Sequence, residues 1–314
     1  MPVKIKNGLP AEATLARENV FVMTDVRATT QDIRPLHILV LNLMPTKETT
    51  ETQLLRVLGN SPLQVEVTFL RTATYQAKHT APEHLAVFYS TFDEVKDAHW
   101  DGLIVTGAPV ETLGFAEVDY WPELAVIFEW AQHSVFSSLF ICWGAQAALF
   151  YYYGIDKRPL ANKCFGVFEH TVTDPMNKLT RGFDDRFFAP HSRHTTVAAD
   201  DIKACAALHL LATSDEAGAY LAASKDGRQV FVTGHAEYEA DTLKQEYERD
   251  LAAGMAIEAP RHYFLDDDPS KPPVVRWRAH ADLLFSNWLN YCVYQETPYD
   301  LTELQAREVT ALDR

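Results

Sequence analysis

The sequence predicts an α/β protein with a mostly parallel sheet flanked by helices. Apolar segments of strand length alternate with helical segments, as they do when helices connect parallel strands. The strand segments are near-continuous apolar runs, which is typical of strands covered on both faces. One such run leads directly into a cysteine followed by small residues, FICWGAQAA. A strand, a sharp turn and a helix in this order predict a nucleophile elbow.

The first part of the chain contains two strand–helix–strand units. The run LHILVLNL at 36–43 predicts a buried strand, a helix follows over 45–59, and the alternating VEVTF predicts the next strand. Two more strands are predicted at 103–106 and 135–141, on either side of a helix over 121–131. These units place their strands in one parallel sheet.

The second part of the chain is less regular. A helix over 144–153 is closed by Gly154, and the stretch from there to Pro190 is interpreted as an insertion or a substrate loop. The dipeptide Asp226-Gly227 lies between two apolar strands. It predicts a type I′ turn and an antiparallel hairpin.

Two further helices are predicted at 241–253 and, as an amphipathic closing helix, at 282–294. We find no internal repeat and no low-complexity linker. The sequence therefore predicts a single domain over 1–314, with an N-terminal extension at 1–34 and a peripheral tail at 302–314.

The composition limits the functional classes. Lys and Arg number 28 against 43 Asp and Glu, and the net charge of -15 argues against nucleic-acid or anionic-membrane partners. No apolar run reaches the roughly 18 residues that span a bilayer. The four cysteines are widely spaced and the twelve histidines are scattered. We therefore expect no disulfide framework, no metal site and a cytoplasmic location.

Cys142 is the candidate nucleophile, because an apolar strand ends at it and a helix begins behind it. The helix N-terminus favours a thiolate and offers the Trp143 N–H to an oxyanion, and the backbone near 107–110 is a second candidate donor. The alternative is a buried structural cysteine, since cysteine is among the most buried residue types.

The segment VTGHAEYE supplies the partners of a cysteine nucleophile. Side chains two apart in an extended segment share a face, so we expect His235 and Glu237 to lie together at a strand end. Glu237 can then orient the imidazole while His235 reaches Cys142. An isolated histidine would more often be packed in the core or exposed on the surface without a catalytic role. His235 is a candidate because it can pair with the elbow cysteine.

An elbow cysteine followed much later by His-x-Glu resembles the class I glutamine amidotransferase-like fold. Further stretches resemble the homoserine O-acyltransferases of methionine biosynthesis, over nearly the whole chain to about Leu301. They are NLMPTKETTETQLLR, GLIVTGAPVE, FICWGAQAAL, KCFGVFEH, PHSRHT and VTGHAEYEADTLKQEYERD.

The resemblance implies acyl transfer from a coenzyme A thioester to the hydroxyl of L-homoserine, with the acyl group carried on Cys142 in a ping-pong cycle. It implies that Lys163, Ser192 and Arg249 line the homoserine pocket, where a guanidinium suits a carboxylate. It also implies a homodimer, with acetyl-CoA or succinyl-CoA as co-substrate and no bound cofactor.

Glu111 occupies the position that resembles the family's donor-specificity site. A carboxylate there would face the distal carboxylate of a succinyl group, and at about 4 Å the two charges repel by about 4 kcal/mol. We therefore predict acetyl-CoA as the donor, with an exposed Glu111 that contacts no substrate as the alternative.

Three other functions stay open at this point. The same fold and triad would serve a homoserine O-succinyltransferase, or a glutamine amidotransferase or amidohydrolase that uses water as acceptor. A non-enzymatic ligand-binding protein on this scaffold would have no need for an intact Cys142, His235 and Glu237. No Walker-type loop or GxGxxG fingerprint locates a coenzyme A site.

Overall fold

The computed structural model of the protein describes residues 3–17, 22–24, 34–74, 80–298 and 301. The strands are β1 (Val3–Ile5), β2 (Val22–Thr24), β3 (Leu36–Leu41), β4 (Val65–Leu70), β5 (Tyr89–Ser90), β6 (Trp100–Val105), β7 (Val135–Ile141), β8 (Arg158–Val172), β9 (Arg186–Thr196), β10 (Leu208–Ser214), β11 (Gly218–Ser224) and β12 (Gln229–Val232). The helices are α1 (Ala11–Arg17), α2 (Lys47–Gly59), α3 (Pro82–Phe88), α4 (Phe92–Val95), α5 (Trp121–Ser134), α6 (Trp143–Tyr153), α7 (Ala199–Ala204), α8 (Thr242–Ala252) and α9 (Arg278–Asn287).

The strands of the described residues form one sheet in the order β2-β1-β4-β3-β6-β7-β12-β11-β10-β8-β9, with β5 beside β4. Every pair from β2 to β12 is parallel, as predicted from the strand–helix alternation. The remaining pairs, from β12 through β11, β10 and β8 to β9, are antiparallel. The elbow strand β7 is thus central, and β12 is its neighbour.

Helices cover both faces of the parallel part because its strands are apolar on both faces. In β3, Ile38 and Val40 belong to a buried cluster that includes residues of α2 and α9. Leu39 and Leu41 belong to the cluster on the opposite face, which includes residues of α5 and α6. Successive residues of β3 thus pack against helices on opposite faces of the sheet. Because both faces are buried, nearly every position of such a strand is apolar.

The stretch interpreted as an insertion or substrate loop is instead a long hairpin. Strands β8 and β9 pair antiparallel, with Phe165 opposite Ser192 and Gly166 opposite His191. A bulge between Pro159 and Cys164 interrupts the ladder, and polar side chains occur along both strands. The regular apolar alternation that predicts strands is absent from this segment, and so the sequence argument failed here.

The hairpin between β11 and β12 was predicted correctly, but its turn type was wrong. The strands pair antiparallel, with Ala222 opposite Phe231. Gly227 has a φ of 72°, whereas the φ of Asp226 is not positive. A type I′ turn needs positive φ at both central positions, and here the Asp226 carboxylate accepts from the Arg228 N–H instead.

The closing helix differs from its predicted bounds, and the two ends of the chain are described only in part. The described part of the 1–34 segment contributes β1 to the sheet, where Val3 pairs with Val65. The closing helix begins at Arg278 rather than 282, and a π-helical segment continues it over Trp288–Tyr294. The tail predicted to be peripheral, 302–314, lies outside the described residues.

Candidate functional site

Cys142 lies at the turn between β7 and α6. Its φ of 51° and ψ of -115° place a non-glycine residue in a strained conformation. The Cys142 N–H donates to the Val232 carbonyl at 2.7 Å, which ties the turn to β12. A backbone held this way projects the thiol from the sheet edge at the N-terminus of α6, the geometry that an elbow nucleophile needs.

Two glycines let the backbone approach the elbow. A Cβ at Gly144 would lie 2.6 Å from the Thr106 carbonyl oxygen, so no larger residue fits behind the nucleophile. A Cβ at Gly107 would lie 3.3 Å from Cys142 Cβ and 3.3 Å from His235 Cε1. The strand-end segment beginning at Gly107 therefore contacts both reacting side chains.

Cys142, His235 and Glu237 lie together. His235 Nδ1 lies 2.7 Å from Glu237 Oε1, and Cys142 Cβ and His235 Cε1 each lie 3.3 Å from the Cβ position of Gly107. Burial by itself lowers the pKa of His235, but the charges of Cys142 and Glu237 and their hydrogen bonds raise it well above its usual value. The arrangement joins a carboxylate, an imidazole and a thiol in the order that an activated nucleophile requires.

The pairing of His235 with Glu237 has a different cause from the one predicted. Strand β12 ends at Val232, and Glu237 lies in a turn in which the Tyr238 N–H donates to the His235 carbonyl at 3.3 Å. The argument that both side chains share a strand face was wrong. The turn, rather than the pleat of a strand, brings the carboxylate to the imidazole.

Lys163 and Ser192 meet at a carboxylate that the sequence argument missed. Lys163 Nζ lies 2.6 Å from Glu246 Oε1, and Ser192 Oγ donates to the same oxygen at 2.6 Å. Asp250, one turn further along α8, lies 3.6 Å from Lys163 Nζ. Acidic residues four apart on a charged helix resemble a solvated surface, but here they form the centre of a polar cluster.

Arg249 lies at the rim of this cluster, with 68% of its side chain exposed. Its Nε and Nη2 donate to Asp250 Oδ1 at 2.8 and 2.6 Å, and Nη2 is 3.9 Å from Glu246 Oε1. The guanidinium edge predicted to bind an amino-acid carboxylate thus already contacts Asp250.

The polar cluster lies next to the triad. The His235 N–H donates to the carbonyl of Pro190 at 2.9 Å, and Pro190 is two residues from Ser192 on β9. Glu246, Glu237 and Cys142 all act electrostatically on the Tyr238 hydroxyl. A thiol, an imidazole and a cluster with charges of both signs therefore lie close together.

Glu111 lies in the segment after β6 and is half-buried. Its carbonyl oxygen accepts from Lys157 Nζ at 2.6 Å, which anchors the segment. Its carboxylate also acts electrostatically on Tyr238. These contacts place Glu111 on the same side of the molecule as the triad.

Trp143 is the first residue of α6, so its N–H belongs to the helix N-terminus beside Cys142. In the part of the chain that the structure describes, no group of three or more His, Cys, Asp and Glu side chains is arranged to hold a metal ion. All four cysteines are described and each is a free thiol. Among the described helices, none is long and apolar enough to cross a membrane.

The parallel sheet with a strained elbow cysteine and a downstream His–Glu pair defines a class I glutamine amidotransferase-like protein. A solved structure similar to this chain is a glutamine amidotransferase from Methylobacillus flagellatus, with a TM-score of 0.52 and 12% identity. The match covers 86% of this chain and 99% of that one. At this identity the likeness shows the fold alone.

The chain belongs to the homoserine O-succinyltransferase family, whose model matches residues 2–299. A curated relative from Acetivibrio thermocellus, named homoserine O-acetyltransferase, is 60% identical over 97% of this chain and 100% of its own length. A second with that name, from Clostridium acetobutylicum, is 59% identical over 96% of this chain and 100% of its own length. The resemblance stated from the sequence is thereby confirmed.

Proposed function

We propose that the protein is a homoserine O-acetyltransferase, which transfers acetyl from acetyl-CoA to the hydroxyl of L-homoserine in methionine biosynthesis. The observation that carries this proposal is the proximity of two sets of residues. A Cys142–His235–Glu237 triad lies beside the cluster of Lys163, Ser192 and Glu246. The names of the curated relatives support the same activity.

The first half-reaction forms an acetyl-enzyme. The Cys142 thiolate attacks the thioester carbonyl, and the oxyanion receives hydrogen bonds from the Trp143 N–H and the backbone near Gly107. The carbon–sulfur bond to coenzyme A breaks, and the imidazolium of His235 gives its proton to the departing thiolate. Since one thioester replaces another, the acetyl group stays activated.

The second half-reaction consumes the acetyl-enzyme. Neutral His235 accepts the proton of the homoserine hydroxyl as the oxygen attacks the acetyl carbonyl. Cys142 leaves as a thiolate, and the thiolate–imidazolium pair is restored. Glu237 stabilises the imidazolium in the starting and final states through its contact with Nδ1.

The polar cluster suits a zwitterionic amino acid. Glu246 offers a carboxylate to the substrate ammonium, while Lys163 and Arg249 offer cations to the substrate carboxylate. Because Arg249 Nε and Nη2 contact Asp250, substrate binding either uses Nη1 or displaces that contact. Ser192 Oγ holds Glu246 from the β9 side.

Glu111 supports acetyl over succinyl as the transferred group. Its half-buried carboxylate, near the triad, would face the distal carboxylate of succinyl-CoA, and about 4 kcal/mol of repulsion corresponds to roughly a 10³-fold disadvantage. A neutral acetyl group meets no such repulsion. Acetyl-CoA is therefore the donor, although the family takes its description from succinyl transfer.

The donor is tested by following thiol release from acetyl-CoA and succinyl-CoA, with homoserine as acceptor. We expect wild type to prefer acetyl-CoA and Glu111→Gly to gain succinyl transfer by at least about tenfold. The control is Glu117→Gln, at an exposed acid in the same segment, which should leave the preference unchanged. A wild type that prefers succinyl-CoA, or that releases ammonia from glutamine without acyl transfer, would contradict the proposal.

The covalent step is tested with the donor alone. Mass spectrometry of wild type incubated with acetyl-CoA should show an added acetyl group on Cys142, and Cys142→Ala should show none there. We expect Cys142→Ala to lose transfer by at least about 10³-fold, because no other group can carry the acetyl. Near-normal turnover by this variant would exclude the acyl-cysteine cycle.

A cytoplasmic location and a homodimer complete the proposal. The homodimer rests on the family resemblance, and the location rests on the sparse, widely spaced cysteines and the absence of a long apolar run from the sequence. Sedimentation of the purified protein tests the homodimer, and a monomer at assay concentration would exclude it.

A further inference from the structure

The ring of Tyr238 lies flat against the ring of His235. The two centroids are 4.1 Å apart and the planes differ by 13°. Tyr238 immediately follows Glu237, so the carboxylate and the aromatic ring that contact the imidazole come from adjacent residues. Glu237 contacts the ring edge at Nδ1, whereas Tyr238 covers a ring face.

The backbone holds Tyr238 in this position from two sides. Its N–H donates to the His235 carbonyl at 3.3 Å, and its own carbonyl accepts from Trp277 Nε1 at 3.0 Å. Its side chain packs against a buried cluster that includes Phe165 and Trp277. The stacked arrangement is therefore supported by contacts outside the triad.

Charged and titratable groups surround the two rings. Cys142 from the elbow, Glu237 from the same turn and His191 from β9 act on His235. Glu246 from α8 and Glu111 from the segment after β6 act on Tyr238. Burial and these acids raise the pKa of Tyr238 well above its usual value, and burial lowers the pKa of His191, so both stay neutral beside the imidazole.

We propose that Tyr238 is a positioning residue whose ring face stabilises the imidazolium form of His235 and keeps its plane aligned between Glu237 and Cys142. A cation over an aromatic face is attracted by the ring quadrupole, most strongly where water is excluded. The inference rests on the proposed function, in which His235 alternates between its charged and neutral forms.

Alkylation of Cys142 by iodoacetamide measures the thiolate directly. The alkylation rate changes again at the higher pH where His235 loses its proton and leaves the thiolate without a cationic partner. Loss of the ring should lower that pH by about half to one unit, because less stabilisation remains for the imidazolium. We expect Tyr238→Leu to show this shift, whereas the acid limb, where the imidazolium is present before and after the thiol ionises, should change little. Tyr238→Phe keeps the ring and should restore the wild-type profile.

Site-specific mass spectrometry separates Cys142 from the other three thiols, and Cys142→Ala supplies the background. A Tyr238→Leu profile that superimposes on wild type would overturn the proposal. So would a Tyr238→Phe profile shifted as far as that of Tyr238→Leu, because the hydroxyl would then be responsible.

Fluorinated phenylalanines at position 238 keep the measurement decisive if Tyr238→Leu fails to fold. Successive fluorines weaken the ring quadrupole with little change in shape, so the profile should move progressively from that of phenylalanine. An unchanged profile across the series would overturn the proposal. Alkylation uses neither acetyl-CoA nor homoserine, so its outcome is independent of whether wild type transfers acetyl groups.

Discussion

At the residue scale, Glu246 shows how one carboxylate organises a polar cluster. It is half-buried, and a single oxygen contacts Lys163 from β8 and Ser192 from β9. Partly buried charges of this kind interact more strongly than exposed pairs, since less water screens them. Glu246 therefore holds two residues that the family resemblance assigned to homoserine.

We expect Glu246→Gln to raise the KM for homoserine by about 10- to 100-fold, because the substrate ammonium loses a charged partner. Formation of the acetyl-enzyme from acetyl-CoA alone should be little affected. Steady-state kinetics and single-turnover acetylation measure the two effects separately.

Glu248→Gln is the matched control for this prediction. Glu248 lies on the same helix and is 61% exposed, 3.9 Å from Lys244 Nζ. Its substitution should leave the homoserine KM within about twofold, since exposed ion pairs contribute little. Equal effects of the two variants would contradict the assigned role of Glu246.

The roles of single residues were only partly predictable. Cys142, His235 and Glu237 occur in local patterns that restrict their chemistry, and the structure brings them together. Glu246 and Tyr238 occur in ordinary helix and turn sequences. The role of Glu246 depends on Lys163 and Ser192 from two strands. The role of Tyr238 depends on a turn that stacks its ring on His235.

At the element scale, the elbow depends on close packing between α6 and the end of β6. Gly144 faces the carbonyl oxygens of Thr106 and Val105, which a Cβ would approach to 2.6 and 2.8 Å. Backbone atoms cannot move aside as a flexible side chain can. The close approach is what allows the nucleophile to lie at the start of the helix.

Gly144→Ala should destabilise the protein by about 2–3 kcal/mol and displace Cys142, since the methyl group overlaps backbone oxygens. Denaturant unfolding measures the first effect, and the rate of Cys142 alkylation measures the second.

Gly154→Ala provides the comparison at the other end of α6. Gly154 has a φ of 67° and open space around its Cβ position. Alanine there should cost about 1–2 kcal/mol from strain while leaving alkylation unchanged. If Gly144→Ala alkylates as fast as Gly154→Ala, the packing argument is wrong.

Strands were predictable from the sequence where both of their faces are buried. Strand β7 was predicted with its observed bounds because both of its faces are covered. The β8–β9 hairpin was missed, since a bulge and polar residues such as Lys163 and Ser192 interrupt the pattern. Residues of the polar cluster are thus among those that break the alternation.

At the scale of the whole molecule, a pair of buried histidines links folding to pH. His170 Nε2 lies 3.0 Å from His191 Nε2, and neither residue is exposed. One neutral ring can donate to the other, whereas two protonated rings would each present a donor. Burial lowers the pKa of His170 to about 3 and that of His191 well below 6.5.

The sign of the pH effect follows from these directions. Below about pH 6.5 the unfolded chain protonates both histidines while the folded chain does not, so stability falls as the pH decreases towards the folded values. His235, whose pKa is raised, is protonated in both states across this window and adds no slope.

We expect His170→Gln to reduce the slope of unfolding free energy between about pH 6 and 4.5 by about 1.4 kcal/mol per pH unit. Urea unfolding at several pH values measures this slope independently of any constant loss of stability. His209→Gln, at an exposed histidine, is the control and should keep the parent slope. An unchanged slope in His170→Gln would contradict the argument.

The amino-acid order was enough to establish the fold class and the family, and to predict the elbow and the residues of the triad. These follow from periodic burial, from the small residues that a sharp turn requires, and from motifs that extend along most of the chain. Three-dimensional packing settled how the triad carboxylate reaches the imidazole, which carboxylate organises the polar cluster, and where the Tyr238 ring lies. The Lys163–Glu246 contact joins segments distant in the chain, and the contacts of Glu237 and Tyr238 with His235 depend on the turn that connects them. The energies of all three depend on burial and charge that only the packed molecule creates.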